Sequence, residues 1–419
     1  MRQIGFILFV CLAGIMPEGK AQSLSLDDCL LLSRENYPLQ SEFSNVKQQT
    51  ELRLKNLHAR YYPTMDLTGQ FSWQNDVPHF NSPTATFKVP KAPQDQYKAF
   101  VDVKQVIYDG GITKAANAVE LSQQSMQHQN LEVELYQVRA QVIQTYFLVL
   151  AIDEQLKQVD YRMEILKKRL FEIQSGVDNG MVLQCEADAF RVELLKLEQD
   201  RFAMEEGRRS AREILAELTG KEIPSDVSFT MPTSETAPQT LNRPELSLFD
   251  AQRLQLESAQ KLTTQQRMPV IAGFGQLGYG NPGYNLLKDE FEPFYMVGLR
   301  LNWKIWDWKE TARKKDVLQL QAQSVNAREA IFEKNIRLVS GDVKARIRQL
   351  ERIMEKDDEI IALRKSITQS AQSRLTNGTY TAADYITDFN AESMAILARE
   401  MHHIELNRAR REMQNILGY

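Results

Sequence analysis

Two periodicities alternate along the chain. From Leu131 to Ile173 apolar residues recur at steps of four and three, and of the thirteen positions on this series only Thr145 is not apolar. From Leu318 to Ala371 the same stepping covers sixteen positions, broken only by Glu329, Arg346, Asp357 and Arg364. A heptad-like stripe of this kind predicts helices packed side by side at a shallow angle. About 65 residues rising 1.5 Å each give a rod of about 100 Å, too long to fold over a compact core. The expectation is an elongated bundle or wall of helices.

The second periodicity is two. Met65, Leu67, Gly69, Phe71 and Trp73 alternate with Asp66, Thr68, Gln70 and Ser72. Tyr97, Ala99, Val101 and Val103 alternate with Lys98, Phe100, Asp102 and Lys104, and Tyr295, Val297, Leu299, Leu301 and Trp303 with Met296, Gly298, Arg300 and Asn302. Such strands of about ten residues cross a bilayer when tilted. Aromatics at the ends (Trp73, Tyr97, Tyr279, Tyr295, Trp303) suit interfacial girdles. Taken singly, the strands favour a soluble sheet; the helix length and the N-terminal leader described below reverse this in favour of a membrane barrel. In that reading Val101 and Leu299 face lipid, and Asp102 and Arg300 face the lumen. Four strands cannot close a barrel, since about eight is the smallest number that does. Each copy of the chain must therefore contribute a stave.

The chain is duplicated. Pro63-Thr-Met-Asp-Leu-Thr-Gly-Gln-Phe71 matches Pro269-Val-Ile-Ala-Gly-Phe-Gly-Gln-Leu277 at an offset of 206. From Tyr97/Tyr295 through Ile107/Ile305 and Asp109/Asp307 to Asn179-Gly180/Asn377-Gly378 the offset is 198. Each half reads as a helix, two strands, a very long helix, an Asn-Gly turn and a second long helix. Ser25 and Asp28 form a capping-box start for a first helix running to about Arg60. Residues 1–21 read as a signal peptide, 22–219 as the first repeat, 220–243 as a Pro/Ser/Thr-rich linker and 244–419 as the second repeat.

Charge and composition narrow the class. Of 419 residues 43% are hydrophobic and 25% charged, ordinary for a folded protein. The net charge of -4 does not favour a broad basic face for nucleic acid. The leader has Arg2, an apolar stretch from Ile4 to Met16, and a small-x-small cleavage site at Gly19-Lys20-Ala21. Cys11 follows Val10, not the small residue expected before a lipoprotein cysteine. Cys29 and Cys185 read as two small buried or half-buried side chains, not a disulfide framework. No later segment offers 18 uncharged apolar residues, so a membrane location requires a β-barrel.

Three motifs resemble chemistry. Gly273-Phe-Gly275-Gln-Leu-Gly278 spells a dinucleotide fingerprint, but Gly280-Asn-Pro-Gly283 follows it, a turn and not a helix start. Those glycines better suit close packing or bending of a strand. His402-His403 reads as a surface pair, because adjacent helical residues diverge and nothing completes a metal site. Asn377-Gly378-Thr379 matches a glycosylation sequon but reads as a turn. Nothing points to an enzyme or to a cofactor.

These features together resemble the TolC-type outer-membrane efflux and secretion channel family. The resemblance rests on Leu24–Pro38 as the opening helix, Tyr62-Pro-Thr-Met-Asp-Leu67 at the first strand, Val106-Ile-Tyr-Asp-Gly-Gly111 at the strand-to-helix corner, and Leu218-Thr-Gly220 with Arg243-Pro-Glu-Leu246 between the halves. It covers essentially the whole mature chain. Asp307-Trp308-Lys309 departs from the expected Gly-Gly corner, which would put Trp308 at the membrane boundary. The resemblance implies a homotrimer with a shared 12-stranded outer-membrane β-barrel and a periplasmic tunnel of coiled-coil-like helices. The strand count alone also allows two or four chains. The implied setting is the outer membrane of a Gram-negative bacterium, with a large periplasmic part. The implied role is passive export in a tripartite efflux or type I secretion system, with a periplasmic adaptor and an inner-membrane transporter as partners. The reading of a different class is a secreted coiled-coil structural protein or adhesin without a pore.

Two further expectations concern the helix ends. Asn179-Gly180-Met181 and Asn377-Gly378-Thr379 are read as exposed tips that dock the adaptor. Glu186, Tyr380, Asp384 and Asp388 are read as a pore gate, Asp384 and Asp388 sharing one helix face and Glu186 being the first-half counterpart of Asp384. Carboxylates brought together on the axis would attract cations and repel one another; the same acids could instead lie on the outer wall, paired with Arg374 or Arg191. Family members can close the tip with a tyrosine, arginine and aspartate network. The matching positions here are about Leu375, Tyr380 and Thr387, so that network does not carry over.

Overall fold

The computed structural model describes residues 23–78, 92–232, 240–286 and 288–419. The signal segment 1–21 with Cys11, and residues 233–239 of the Pro/Ser/Thr-rich stretch, lie outside the described residues. In chain order the elements are β1 (Ser23–Leu24), α1 (Leu26–Asn36), α2 (Leu39–His58), β2 (Thr64–Trp73), β3 (Asp95–Tyr108), α3 (Ile112–Asp178), α4 (Gln184–Thr219), β4 (Ser228–Phe229), α5 (Pro244–Gln265), β5 (Val270–Asn281), β6 (Glu292–Asn302), α6 (Glu310–Thr376) and α7 (Ala382–Leu417). The duplication is kept to the residue in the long helices: α3 and α6 each have 67 residues, and α4 and α7 each have 36.

The opening helix differs from the expectation. Ser25 and Asp28 form both bonds of the capping box, but the helix stops at Asn36 and resumes as α2 at Leu39. Tyr37 takes an extended conformation (φ -65°, ψ 137°) because the Pro38 ring crowds a helical predecessor.

The chain divides into two compact units. Of the described residues, one contains those up to Tyr37 and those in Gln137–Thr240 and Val339–Tyr419; the other contains those in Pro38–Tyr136 and Leu241–Leu338. In the first, Phe190, Leu194, Leu197, Tyr385, Ile386 and Phe389 close on Val159, Met163 and Leu166 of α3. A second cluster gathers Leu26, Cys29, Val142, Tyr146, Phe147, Leu215 and Ile404. There β1 pairs in parallel with β4, Ser23 opposite Ser228. The buried Tyr146 hydroxyl lies 2.9 Å from the Leu24 carbonyl oxygen and 2.7 Å from that of Thr230.

In the second unit, the described strands form an antiparallel sheet of order β2-β3-β5-β6, with β2 and β6 at its edges. Asp109 and Asp307 close the corners into the long helices. Asp109 accepts from the Thr113 amide at 2.6 Å, and Asp307 from the Thr311 amide at 3.1 Å. The first corner uses Gly110 and Gly111 at φ 65° and 82°; the second puts Trp308 and Lys309 at φ 50° and 61°.

The seam positions behave as the pattern predicts in α3, where all from Leu131 to Ile173 are buried except the half-buried Ile152, Leu170 and Ile173. Three of the charged interruptions in α6 meet partners on other helices. Glu329 accepts from Arg253 at 2.5 Å, Arg346 pairs with Glu405, and buried Asp357 lies 2.8 Å from His402 Nδ1. His402 is therefore a half-buried partner of the seam and not a surface residue, while His403 is exposed. Cys29 is buried as expected, but Cys185 is exposed, and both are free thiols.

Candidate functional site

The sheet presents two chemically distinct faces. Register aligns Met65, Leu67, Val101, Val103, Leu277, Tyr295, Val297 and Leu299 on one face. Its apolar side chains stand in the open: Leu67 is 79% exposed, Val297 82% and Leu299 73%. Val101 is half-buried among its neighbours. The opposite face carries Asp102, Lys104, Gln276 and Arg300. Asp102 is buried and paired with Lys104, and the Arg300 guanidinium lies 5.2 Å from the Phe274 ring centre. The glycines of the Gly273-x-Gly275-x-x-Gly278 motif lie along β5, not at a strand-to-helix turn.

The two helical tips share one geometry. The Gly180 amide donates to Val177 at 2.9 Å and the Met181 amide to Gly176 at 2.8 Å. At the second tip the Gly378 amide donates to Leu375 at 3.0 Å and the Thr379 amide to Arg374 at 2.9 Å. These paired bonds are Schellman caps, which require the left-handed conformation of Gly180 (φ 73°) and Gly378 (φ 68°). Asn179, Met181, Asn377 and Thr379 are exposed around them.

Beyond the turns the repeats diverge. Thr381 caps α7, accepting from the Asp384 amide at 3.2 Å and donating its hydroxyl to the Asp384 carboxylate at 2.7 Å. Leu183 cannot cap α4 in the same way. Glu186 instead reaches the other hairpin, where its carboxylate accepts from the Ala382 amide at the start of α7. Tyr380 donates its hydroxyl to Asp388 at 3.0 Å, and the Arg374 guanidinium sits 4.2 Å from the Tyr380 ring centre. The bond to the Asp388 carboxylate raises the Tyr380 pKa above its ordinary 10, because an anion beside the hydroxyl disfavours phenolate. The structure thus brings Tyr380 and Asp388 together and joins Asp384 to its own cap. Arg374 contacts the Tyr380 ring rather than a carboxylate. An arginine–tyrosine–aspartate chain is present, on residues other than Leu375 and Thr387. No spacing rule exposes it, because the reversal at Gly378 brings Arg374 and Tyr380 face to face.

Among the described residues no helix is long and apolar enough to cross a membrane, and no cluster of three or more metal-ligating side chains occurs. No protein-family profile matches the chain, and no curated protein matches its sequence. Solved structures do match its fold. The Campylobacter jejuni CmeC outer membrane channel is 14% identical, with 94% of this chain and 85% of that one covered at a TM-score of 0.65. The open-state Neisseria gonorrhoeae MtrE outer membrane channel is 15% identical, covers 94% and 88%, and scores 0.66. The Vibrio cholerae outer membrane protein VceC is 12% identical, covers 93% and 96%, and scores 0.64. The chain has the fold of the TolC-type outer-membrane channels, as the resemblance of its sequence implied.

Proposed function

We propose that this chain is the outer-membrane component of a tripartite efflux or type I secretion system, a passive duct with no catalytic chemistry of its own. The observation that carries this reading is the four-stranded sheet. Among the described residues it has two unpaired edges, β2 and β6, and an exposed apolar face. In water such a sheet would aggregate; closed with other copies in a bilayer, its edges pair and its apolar face meets lipid. Three copies give a 12-stranded barrel, the number that the sequence resemblance implies. The two repeats, 22–219 and 244–419, then each supply two staves, with 220–243 linking them. Asp102 and Arg300 line the lumen.

The reading places the protein in the outer membrane of a Gram-negative bacterium, with an adaptor docked at the tips Asn179–Met181 and Asn377–Thr379 and an inner-membrane transporter supplying the energy. Glu186, Tyr380, Asp384 and Asp388 form the gate region. The bond between Tyr380 and Asp388 restrains carboxylates that would otherwise repel. A secreted structural protein or adhesin is the competing class, and the exposed apolar face counts against it. Membrane fractionation, heat-modifiable trimers on gels and single-channel recording test the proposal. A soluble monomer without pore activity would overturn it.

A further inference from the structure

The turn after β5 does not continue outward from the sheet. Asn281 ends the strand, Pro282 and Gly283 are buried, and the chain doubles back over the polar face. Tyr284 donates its hydroxyl to Gln276 Oε1 at 3.1 Å. Gln276 lies five residues inside the strand end, about 17 Å of extended chain, so the tyrosine reaches well back along the sheet. Its ring stands edge-on to Phe294 at 4.8 Å, and Phe294 lies 6.3 Å from Phe100. Gly278 makes room for this stack: a methyl group there would stand 2.5 Å from both Phe100 Cβ and Phe294 Cζ. On the apolar face Phe291 stacks on Tyr279 at 5.7 Å, so the strand ends are clamped from both sides.

We infer that Tyr284, seated on Phe294 and Phe100 and bonded to Gln276, is a constriction at the loop end of the barrel that limits the size of what passes. The inference rests on the channel reading, in which this face lines the lumen and three copies meet around the axis. Each chain then sets one tyrosine into the pore, backed by the buried Phe294 and the half-buried Phe100. An aromatic step of this kind narrows the water-filled path and selects by solute width. It also accounts for Gly278, the last glycine of the motif that mimics a nucleotide site.

The test is single-channel recording on the purified full-length protein, with polyethylene glycols of graded size added from the loop side. Tyr284→Ala is expected to raise conductance about twofold and to admit larger polymers. Tyr284→Phe, which keeps the ring and loses the bond to Gln276, should give a smaller rise in the same direction, and it carries the test if the alanine variant does not assemble. Pores whose conductance and polymer cut-off are the same in wild type and in the assembled variants would overturn the constriction and leave the channel reading standing. A wild type that forms no pores would overturn both.

Discussion

Gly110 and Trp308 occupy equivalent corners of the two repeats, both in the left-handed region. A Cβ on Gly110 would collide with Met268 Cβ, so the first corner needs glycine for space as well as for φ. Gly110→Ala is expected to cost about 3 kcal/mol, combining the left-handed penalty with overpacking. A methyl group added at Gly180 or Gly378 would meet nothing within 4 Å, so alanine there should cost only about 1 kcal/mol. Thermal unfolding of the three variants in detergent checks the order; equal losses would mean that the clash at Met268 is relieved by local movement. Tyr146 offers a second measurement. Burial pushes its pKa up to about 12 from an ordinary 10. Raised in the folded state, it contributes stability that is complete below pH 10 and lost as pH climbs towards 12. Tyr146→Phe removes the hydroxyl that lies between the Leu24 and Thr230 carbonyls, leaving the nearer Thr230 carbonyl without it, and should cost about 1–3 kcal/mol at neutral pH, while its stability should fall less between pH 10 and 12 than that of the wild type. Parallel pH profiles for the two proteins would refute that assignment.

At the scale of elements, the tips show how one duplicated plan acquires two uses. Both long helices end in the same Schellman cap, yet only the second tip adds the Arg374–Tyr380–Asp388 chain and a threonine cap. Tyr380→Phe should remove the bond to Asp388 and loosen the start of α7, read as faster amide exchange over residues 379–386 and longer channel openings. Because the Tyr380 pKa is raised in the folded state, wild type should hold this restraint below pH 10 and come to behave like the variant as pH rises through the raised value. Identical exchange in the two proteins at pH 7 would show that Tyr380 restrains nothing. Asp384→Asn/Asp388→Asn should weaken block by divalent cations. Unchanged block and unchanged cation preference would put these carboxylates outside the pore.

For the whole molecule, the decisive quantity is the apolar surface a single chain leaves uncovered. Besides the sheet face, α6 exposes Leu320, Ile331, Leu338 and Leu363, each at least 60% accessible. The seam of α6 is also less buried than that of α3, with Val339, Ile360 and Ile367 exposed, and in the proposed assembly other copies would cover this surface. Leu299 sits on the exposed face of edge strand β6. Leu299→Arg should oppose barrel assembly by roughly 2–4 kcal/mol if near the bilayer midplane, seen as loss of heat-resistant trimers, whereas Arg300→Ala should leave trimers intact and shift ion selectivity. Trimers unharmed by Leu299→Arg would reverse the assignment of faces.

The periodicities alone determined a great deal. Steps of four and three specify which side of a helix is apolar, and steps of two which face of a strand, because side-chain direction follows from backbone geometry. Long helices, four strands, the duplication at a constant offset and the two glycine turns were all legible on that basis, since each rests on neighbours within a few residues. What depends on residues far apart in sequence was not. The charged breaks in the α6 seam looked like defects until Arg253, Glu405 and His402 arrived from other helices to pair with them. Glu186 looked like the twin of Asp384, yet it caps a helix 196 positions away. Pro38 broke a helix that the apolar pattern carried through, because a ring clash acts on the backbone and leaves the pattern untouched. The inward turn at Tyr284 rests on the Phe294–Phe100 stack packed over Gly278, which forms only once β3, β5 and β6 lie side by side.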